Sequence, residues 1–117
     1  MRILLADDEQ PVRSALRLIL EQHLGLRVVG EAAKAEELLH LVKTVKPDLI
    51  LLDWELPSLG IRLLPALHAL CPYLKIIVLS GRLEAAASAL AAGADAFVSK
   101  GDPPERLLSA LHALKKR

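Results

Sequence analysis

Five times along this chain, an apolar run of strand length is followed by a stretch with helical spacing. That alternation restricts the fold to the α/β class with a parallel sheet. The runs end alike: residues 2–6 stop at Asp7-Asp8, 49–52 at Asp53, 76–79 at Ser80 and 96–99 at Lys100, while Val28-Val29 stops at Gly30-Glu31. In an open parallel sheet the carboxyl ends of the strands share one edge, so three carboxylates, a hydroxyl and an ammonium can meet in one crevice. Crowded carboxylates raise one another's pKa unless a cation neutralises them, and an oxygen-rich acidic cluster suits a hard divalent ion. The residue types point to a Mg2+ site beside a reactive aspartate.

The helices follow from spacing and punctuation. Val12, Leu16, Ile19, Leu20 and His23 recur at helical intervals behind Pro11, a residue favoured in a first turn. Residues 26–31 alternate as an edge strand does, and Leu38, Leu39, Val42 and Val45 mark a second helix ending before Pro47. The uninterrupted 49–52 run predicts a central strand covered on both faces. Leu63, Leu64, Leu67 and Leu70 predict a third helix ending near Pro72, followed by a strand at 75–80 and an alanine-rich helix at 84–92 closed by Gly93. A fifth strand is expected at 94–100. Asp102-Pro103-Pro104-Glu105 then reads as a capping box with proline at the first helical position, and Leu107, Leu108, Leu111 and Leu114 carry the last helix to Lys115.

At 117 residues with 53% hydrophobic content, the chain suits one domain with one full core. Fifteen basic against fourteen acidic residues leave a formal charge of +1, so no global field draws the chain to nucleic acid or an anionic membrane. No apolar stretch approaches the roughly 20 residues that span a bilayer, and the first strand pattern begins without a signal-peptide core. We expect a cytoplasmic chain with no membrane association. Cys71 is the single cysteine, which excludes an internal disulfide or a thiolate cluster and fits a half-buried thiol. His23, His40, His68 and His112 fall on four different predicted helices without ligand spacing. The short basic tail Lys115-Lys116-Arg117 reads either as cations suited to a helix C-terminus or as the start of a linker to a further domain.

Asp7-Asp8, the segment 46–53 ending in Asp53, Pro57, Ser80, Gly93-Ala94-Asp95 and Lys100 together resemble the receiver domain of bacterial two-component response regulators. The resemblance spans essentially the whole chain, and the wording of 12–16 and 29–32 is most similar to the branch that carries a LuxR-type helix-turn-helix output domain. It implies a flavodoxin-like (βα)5 fold of three layers, with strand order 2-1-3-4-5. It implies Asp53 as phosphoacceptor for a sensor histidine kinase or a small acyl phosphate. Asp7, Asp8, Asp53 and the backbone carbonyl of Glu55 would hold Mg2+, with Lys100 and Ser80 contacting the phosphoryl group. Ser80 and Phe97 would act as switch residues that remodel the surface of the fourth helix, fifth strand and fifth helix. That surface would serve homodimer formation, and DNA would be bound only through an output domain.

Trp54, directly after Asp53, should flank the site. Glu55 and Arg82, each two residues past a strand-end group, should rim it as an oppositely charged pair. Some positions depart from the family pattern. Leu56 replaces a frequent methionine, the loop at 57–60 is about one residue short, and the span from Ser80 to Lys100 is about two short. Gly101 stands where many receivers have proline, so a trans bond is expected there because a cis bond before a non-proline residue costs roughly 3 kcal/mol. Rival classes fit less well. A metal-free nucleotide binder needs a glycine- or hydroxyl-rich anion loop, whereas Asp7-Asp8-Glu9 presents negative charge. An aspartyl-nucleophile phosphatase of the haloacid-dehalogenase type places its motif on the first strand of a larger chain. A stand-alone or unphosphorylated receiver-like interaction module is the remaining alternative.

Overall fold

In the computed structural model, which describes residues 1–60 and 62–115, ten elements alternate as the apolar pattern requires. They are β1 (Arg2–Ala6), α1 (Gln10–Glu21), β2 (Arg27–Ala32), α2 (Ala35–Val45), β3 (Leu49–Asp53), α3 (Leu63–Leu70), β4 (Lys75–Ser80), α4 (Ala85–Ala91), β5 (Ala96–Ser99) and α5 (Pro104–Lys115). The five strands form one parallel sheet in the order β2-β1-β3-β4-β5. This is the flavodoxin-like arrangement expected, and its first, third and fourth strands bring Asp7, Asp53 and Ser80 to neighbouring positions on one edge.

Period-two alternation sorts the strand side chains into two cores. Leu4, Ile50, Leu52, Ile76 and Val78 face α2 and α3, packing on Leu38, Val42, Leu64 and Leu67 with Ala89 of α4. Their neighbours Ile3, Leu5, Leu49, Leu51 and Ile77 face the other way, onto Leu20 of α1 and Leu107, Leu111 and Leu114 of α5. Three layers result. All five residues of β3 are buried, which explains why its sequence shows no polar alternation. Each large side chain so covered contributes about 1.5–3 kcal/mol relative to exposure, so the central strand anchors the sheet whose tip carries Asp53.

Backbone signals behave largely as read. Lys46 closes α2 in the left-handed region at φ 52, just before Pro47, and Gly93 follows α4 at φ 114. Gly30 has a different purpose. A Cβ there would lie 2.8 Å from Leu4 Cδ2, where the β1–β2 register shifts between Ile3 and Leu4. The missing side chain permits this close strand approach.

Several sequence boundaries move. His23 lies beyond the end of α1, in the turn before β2, so the histidines do not all sit on helices. β5 is shorter than 94–100: its pairing with β4 begins at Ala96, while Asp95 meets Ile76 through its N–H, 2.8 Å from the Ile76 carbonyl, and through its carboxylate, which accepts the Ile76 N–H at 2.8 Å. The capping box also differs: α5 starts at Pro104, and the Asp102 carboxylate accepts the Ser99 N–H at 3.3 Å. Cys71 is half-buried, with Sγ 3.7 Å from the Pro47 carbonyl. No cis peptide occurs among the described residues, so the bond before Gly101 is trans. Of the basic tail, Lys115 ends α5, while Lys116 and Arg117 lie outside the described residues. Among the described residues, no helix is long and apolar enough to cross a membrane.

Candidate functional site: an acidic crevice bridged by lysine

One local device repeats where the strands stop. The Asp7 carboxylate accepts the Glu9 N–H at 2.9 Å, the Asp53 carboxylate accepts the Glu55 N–H at 3.0 Å, and Ser80 Oγ accepts the Arg82 N–H at 3.1 Å. A short polar side chain that satisfies the N–H two residues on turns the backbone out of the strand. The groups that end the strands are therefore the groups held at the sheet edge.

Asp7 and Asp53 are each only 2% exposed, and Ser80 is fully buried. Register explains their proximity, since Ala6 of β1 pairs with Leu52 of β3 immediately before both aspartates. Lys100 arrives from beyond β5 and bridges them, its Nζ lying 3.0 Å from Asp7 Oδ2 and 3.2 Å from Asp53 Oδ1. Asp8 is exposed at the mouth, yet one carboxylate oxygen from each of Asp7, Asp8 and Asp53 lies within 4.8 Å of the others. Among the described residues this is the only cluster of histidine, cysteine or carboxylate groups able to hold a metal ion.

The electrostatics follow from burial and crowding. Burial raises the Asp53 pKa from its ordinary value, the nearby Asp7 charge adds to the rise, and the Glu55 N–H and Lys100 only partly oppose it. Burial works against the Lys100 ammonium, but its hydrogen bond to Asp7 and the charges of Asp53 and Asp7 outweigh that effect and raise its pKa. One ammonium thus balances only part of the charge on three carboxylates. The surplus, carried on hard oxygen atoms, fits a divalent cation of the Mg2+ or Ca2+ type. Among the described residues no backbone N–H donates to the Glu55 carbonyl, which leaves that oxygen free of competing backbone bonds.

The rim is formed by residues after the strand ends. Trp54 is half-buried and lines a cleft of about 470 Å³ with Leu59, Leu64 and the Ser88–Ala92 face of the α4 region. Glu55 points its carboxylate at the Ser80 hydroxyl, which lies 3.1 Å from both oxygens, and pairs with Arg82 at 3.2 Å. The expected Glu55–Arg82 pair is present, but Ser80 is engaged by Glu55 as well. Phe97 is half-buried against the core that contains Ala89, opposite Val78 of β4.

Sequence reasoning passed over Arg13 and gave Glu31 no role. Glu31 lies next to the end of β2, but its carboxylate turns to α1, with Arg13 Nε at 2.8 Å and Arg17 Nη2 at 2.7 Å. Burial alone would raise the Glu31 pKa, and the hydrogen bonds and charges of Arg17 and Arg13 overcome this and lower it. The spacing of Arg13 and Arg17, one helical turn apart on α1, was the available signal.

A doubly wound parallel sheet with a lysine-bridged acidic crevice at its carboxyl edge is the architecture of signalling receiver domains. Residues 3–112 match the family described as the response regulator receiver domain, and the chain belongs to that family of two-component proteins. It is 35% identical over 113 residues to the nitrate/nitrite response regulator NarL of Escherichia coli, covering 94% of this chain and 52% of that protein. It is 32% identical over 117 residues to the E. coli response regulator UvrY, covering 97% of this chain and 54% of that protein. A LuxR-family response regulator from Aurantimonas sp. SI85-9A1 superposes with a TM-score of 0.90 at 32% identity, over 99% of this chain and 86% of that one. These likenesses fall in the LuxR-type branch, and the chain spans about half the length of the curated relatives it matches.

Proposed function

We propose that this receiver accepts a phosphoryl group on Asp53 from a sensor histidine kinase, or from a small acyl phosphate, in a Mg2+-dependent reaction. A carboxylate oxygen of Asp53 forms a bond to phosphorus as the P–N bond of the phosphohistidine breaks, and the imidazole leaves with the electron pair. The observation that carries this reading is the pair of buried carboxylates, Asp7 and Asp53, bridged by Lys100 with Asp8 close by. Asp7, Asp8, Asp53 and the Glu55 backbone carbonyl would hold the metal ion, which would offset repulsion between the incoming phosphate and the carboxylates. Lys100 adds a fixed positive charge beside the nucleophile, and Ser80 donates a hydrogen bond to a phosphoryl oxygen.

Phosphorylation then shifts a two-state equilibrium. Ser80 leaves Glu55 for the phosphoryl group, the 81–84 loop follows, and Phe97 turns inward, remodelling the α4-β5-α5 surface. That surface favours a homodimer. In the whole protein the receiver acts through a DNA-binding output domain, and the protein works in the cytoplasm as a regulator of transcription. A Salmonella enterica RcsB structure, bound to promoter rprA in the presence of phosphomimetic BeF3-, supports this reading. It has a TM-score of 0.89 at 30% identity over 99% of this chain and 62% of that one.

Intact-mass spectrometry tests the chemistry. With Mg2+ and a small acyl phosphate the domain gains one base-labile phosphoryl group, and Asp53→Asn gains none. Equal labelling of the Asn variant means that Asp53 is not the nucleophile.

A further inference from the structure

We propose that Arg13 is a positioning residue that sets the orientation of the peptide joining Asp7 to Asp8, and through it the place of the Asp8 carboxylate. The proposal rests on the reading of Asp7, Asp8 and Asp53 as a divalent-cation site. The Arg13 side chain is only 15% exposed. Its Nε donates to Glu31 Oε1 at 2.8 Å and its Nη1 donates to the main-chain carbonyl of Asp7 at 2.6 Å. That carbonyl lies in the peptide plane that also carries the Asp8 N–H, so holding one fixes the direction of the other.

The two aspartates depend on this contact differently. Asp7 is held independently, its N–H donating to the Ala32 carbonyl at 3.0 Å and its carboxylate receiving the Glu9 N–H and Lys100 Nζ. Asp8 is exposed, so its place is set by the backbone on which it stands. A guanidinium close to a cation site would ordinarily repel the cation. Here the two guanidiniums of Arg13 and Arg17 face two carboxylates, Glu31 touching both and Glu21 lying 3.5 Å from Arg17, which leaves orientation as the main contribution of Arg13. A planar guanidinium can serve the carboxylate and the carbonyl together at a fixed angle, which a single ammonium cannot do. Groups that orient metal ligands in this way typically alter metal affinity by about 10–100-fold when removed.

The test is a titration of the metal-free domain with Mg2+ alone, followed by Trp54 fluorescence, for wild type, Arg13→Met, Arg17→Ala and Asp8→Ala. Arg13→Met keeps the length and packing of the stem without its donors. It is expected to weaken Mg2+ affinity by about tenfold, and the rate of labelling by an acyl phosphate recovers at saturating Mg2+. Arg17→Ala breaks the two bonds that Arg17 makes to Glu31 without touching Asp7 and keeps wild-type affinity, so a loss in both variants would assign the effect to the Glu31 brace and overturn the proposal. Wild-type affinity in Arg13→Met also overturns it. If that variant does not fold, Arg13→Lys decides by the same criterion, with weakened affinity expected. A wild-type response that does not saturate, or that Asp8→Ala leaves unchanged, removes the cation-site reading itself.

Discussion

Ser80 Oγ lies 3.1 Å from each carboxylate oxygen of Glu55, so the hydroxyl that a phosphoryl group on Asp53 would recruit is already held by a side chain from the rim. Arg82 closes the arrangement, its N–H donating to Ser80 and its guanidinium to Glu55. The rim charges and the proposed switch hydroxyl thus share the same three residues.

The rim pair is expected to shield the phosphoryl group from water. Arg82→Ala should speed loss of phosphate from the labelled domain while initial labelling remains intact. An exposed pair contributes about 0–1 kcal/mol, which bounds the acceleration at roughly fivefold. Phosphate release measured over time decides this, and an unchanged or slower rate means that no such gate exists.

Asp53 opposes folding in the metal-free domain. Its folded pKa is raised, so its penalty is present at neutral pH and disappears as pH falls below the unfolded value of about 3.9. Asp53→Asn should therefore be more stable at neutral pH, by on the order of 1 kcal/mol or roughly 4 °C in Tm. Thermal unfolding in chelator, at neutral pH and near pH 3, measures both the gain and its disappearance. A lower Tm for the Asn variant at neutral pH contradicts the assignment.

Glu31 behaves with the opposite sign. Its folded pKa is lowered, so the stability that it contributes is present above the unfolded value of about 4.3 and is lost as pH falls through the folded value. Glu31→Gln, which leaves the largely buried Arg13 without its carboxylate, should cost about 1–3 kcal/mol at pH 7. The cost should shrink toward pH 3. Urea unfolding of both proteins at the two pH values checks it, and a pH-independent difference would point to packing and not to charge.

Association is expected through the α4 side of the molecule. Residues 85–92 carry no charge, Leu90 among them is 48% exposed, and Leu83 just before them is 70% exposed. Sedimentation with and without a phosphoryl mimic should show dimers favoured by the mimic, and Leu90→Glu should suppress them. A domain that stays monomeric in both states at high concentration ends the idea.

Much of this was written in the chain itself. Period-two alternation and short apolar runs determine strands, and helical spacing between Pro11, Pro47 and Pro72 determines the crossovers, because both depend on neighbours a few residues apart. The strand-end positions of Asp7, Asp53, Ser80 and Lys100 follow from the same local pattern, as does the buried centre at 49–52. Boundaries set by distant partners were less legible. Asp95 meets Ile76, 19 positions earlier, through both its N–H and its carboxylate, an arrangement that no local spacing encodes.

The final arrangement of side chains was decided only by the tertiary structure. Lys100 meets an aspartate 93 positions away, Ser80 is taken by Glu55, and Arg13 reaches the Asp7 carbonyl through a guanidinium shared with Glu31. The sequence alone determines which chemistry arrives at the sheet edge, because strand termination is local. Which donor meets which acceptor depends on strand register and on rotamers packed by distant helices, and so exists only once the sheet is assembled.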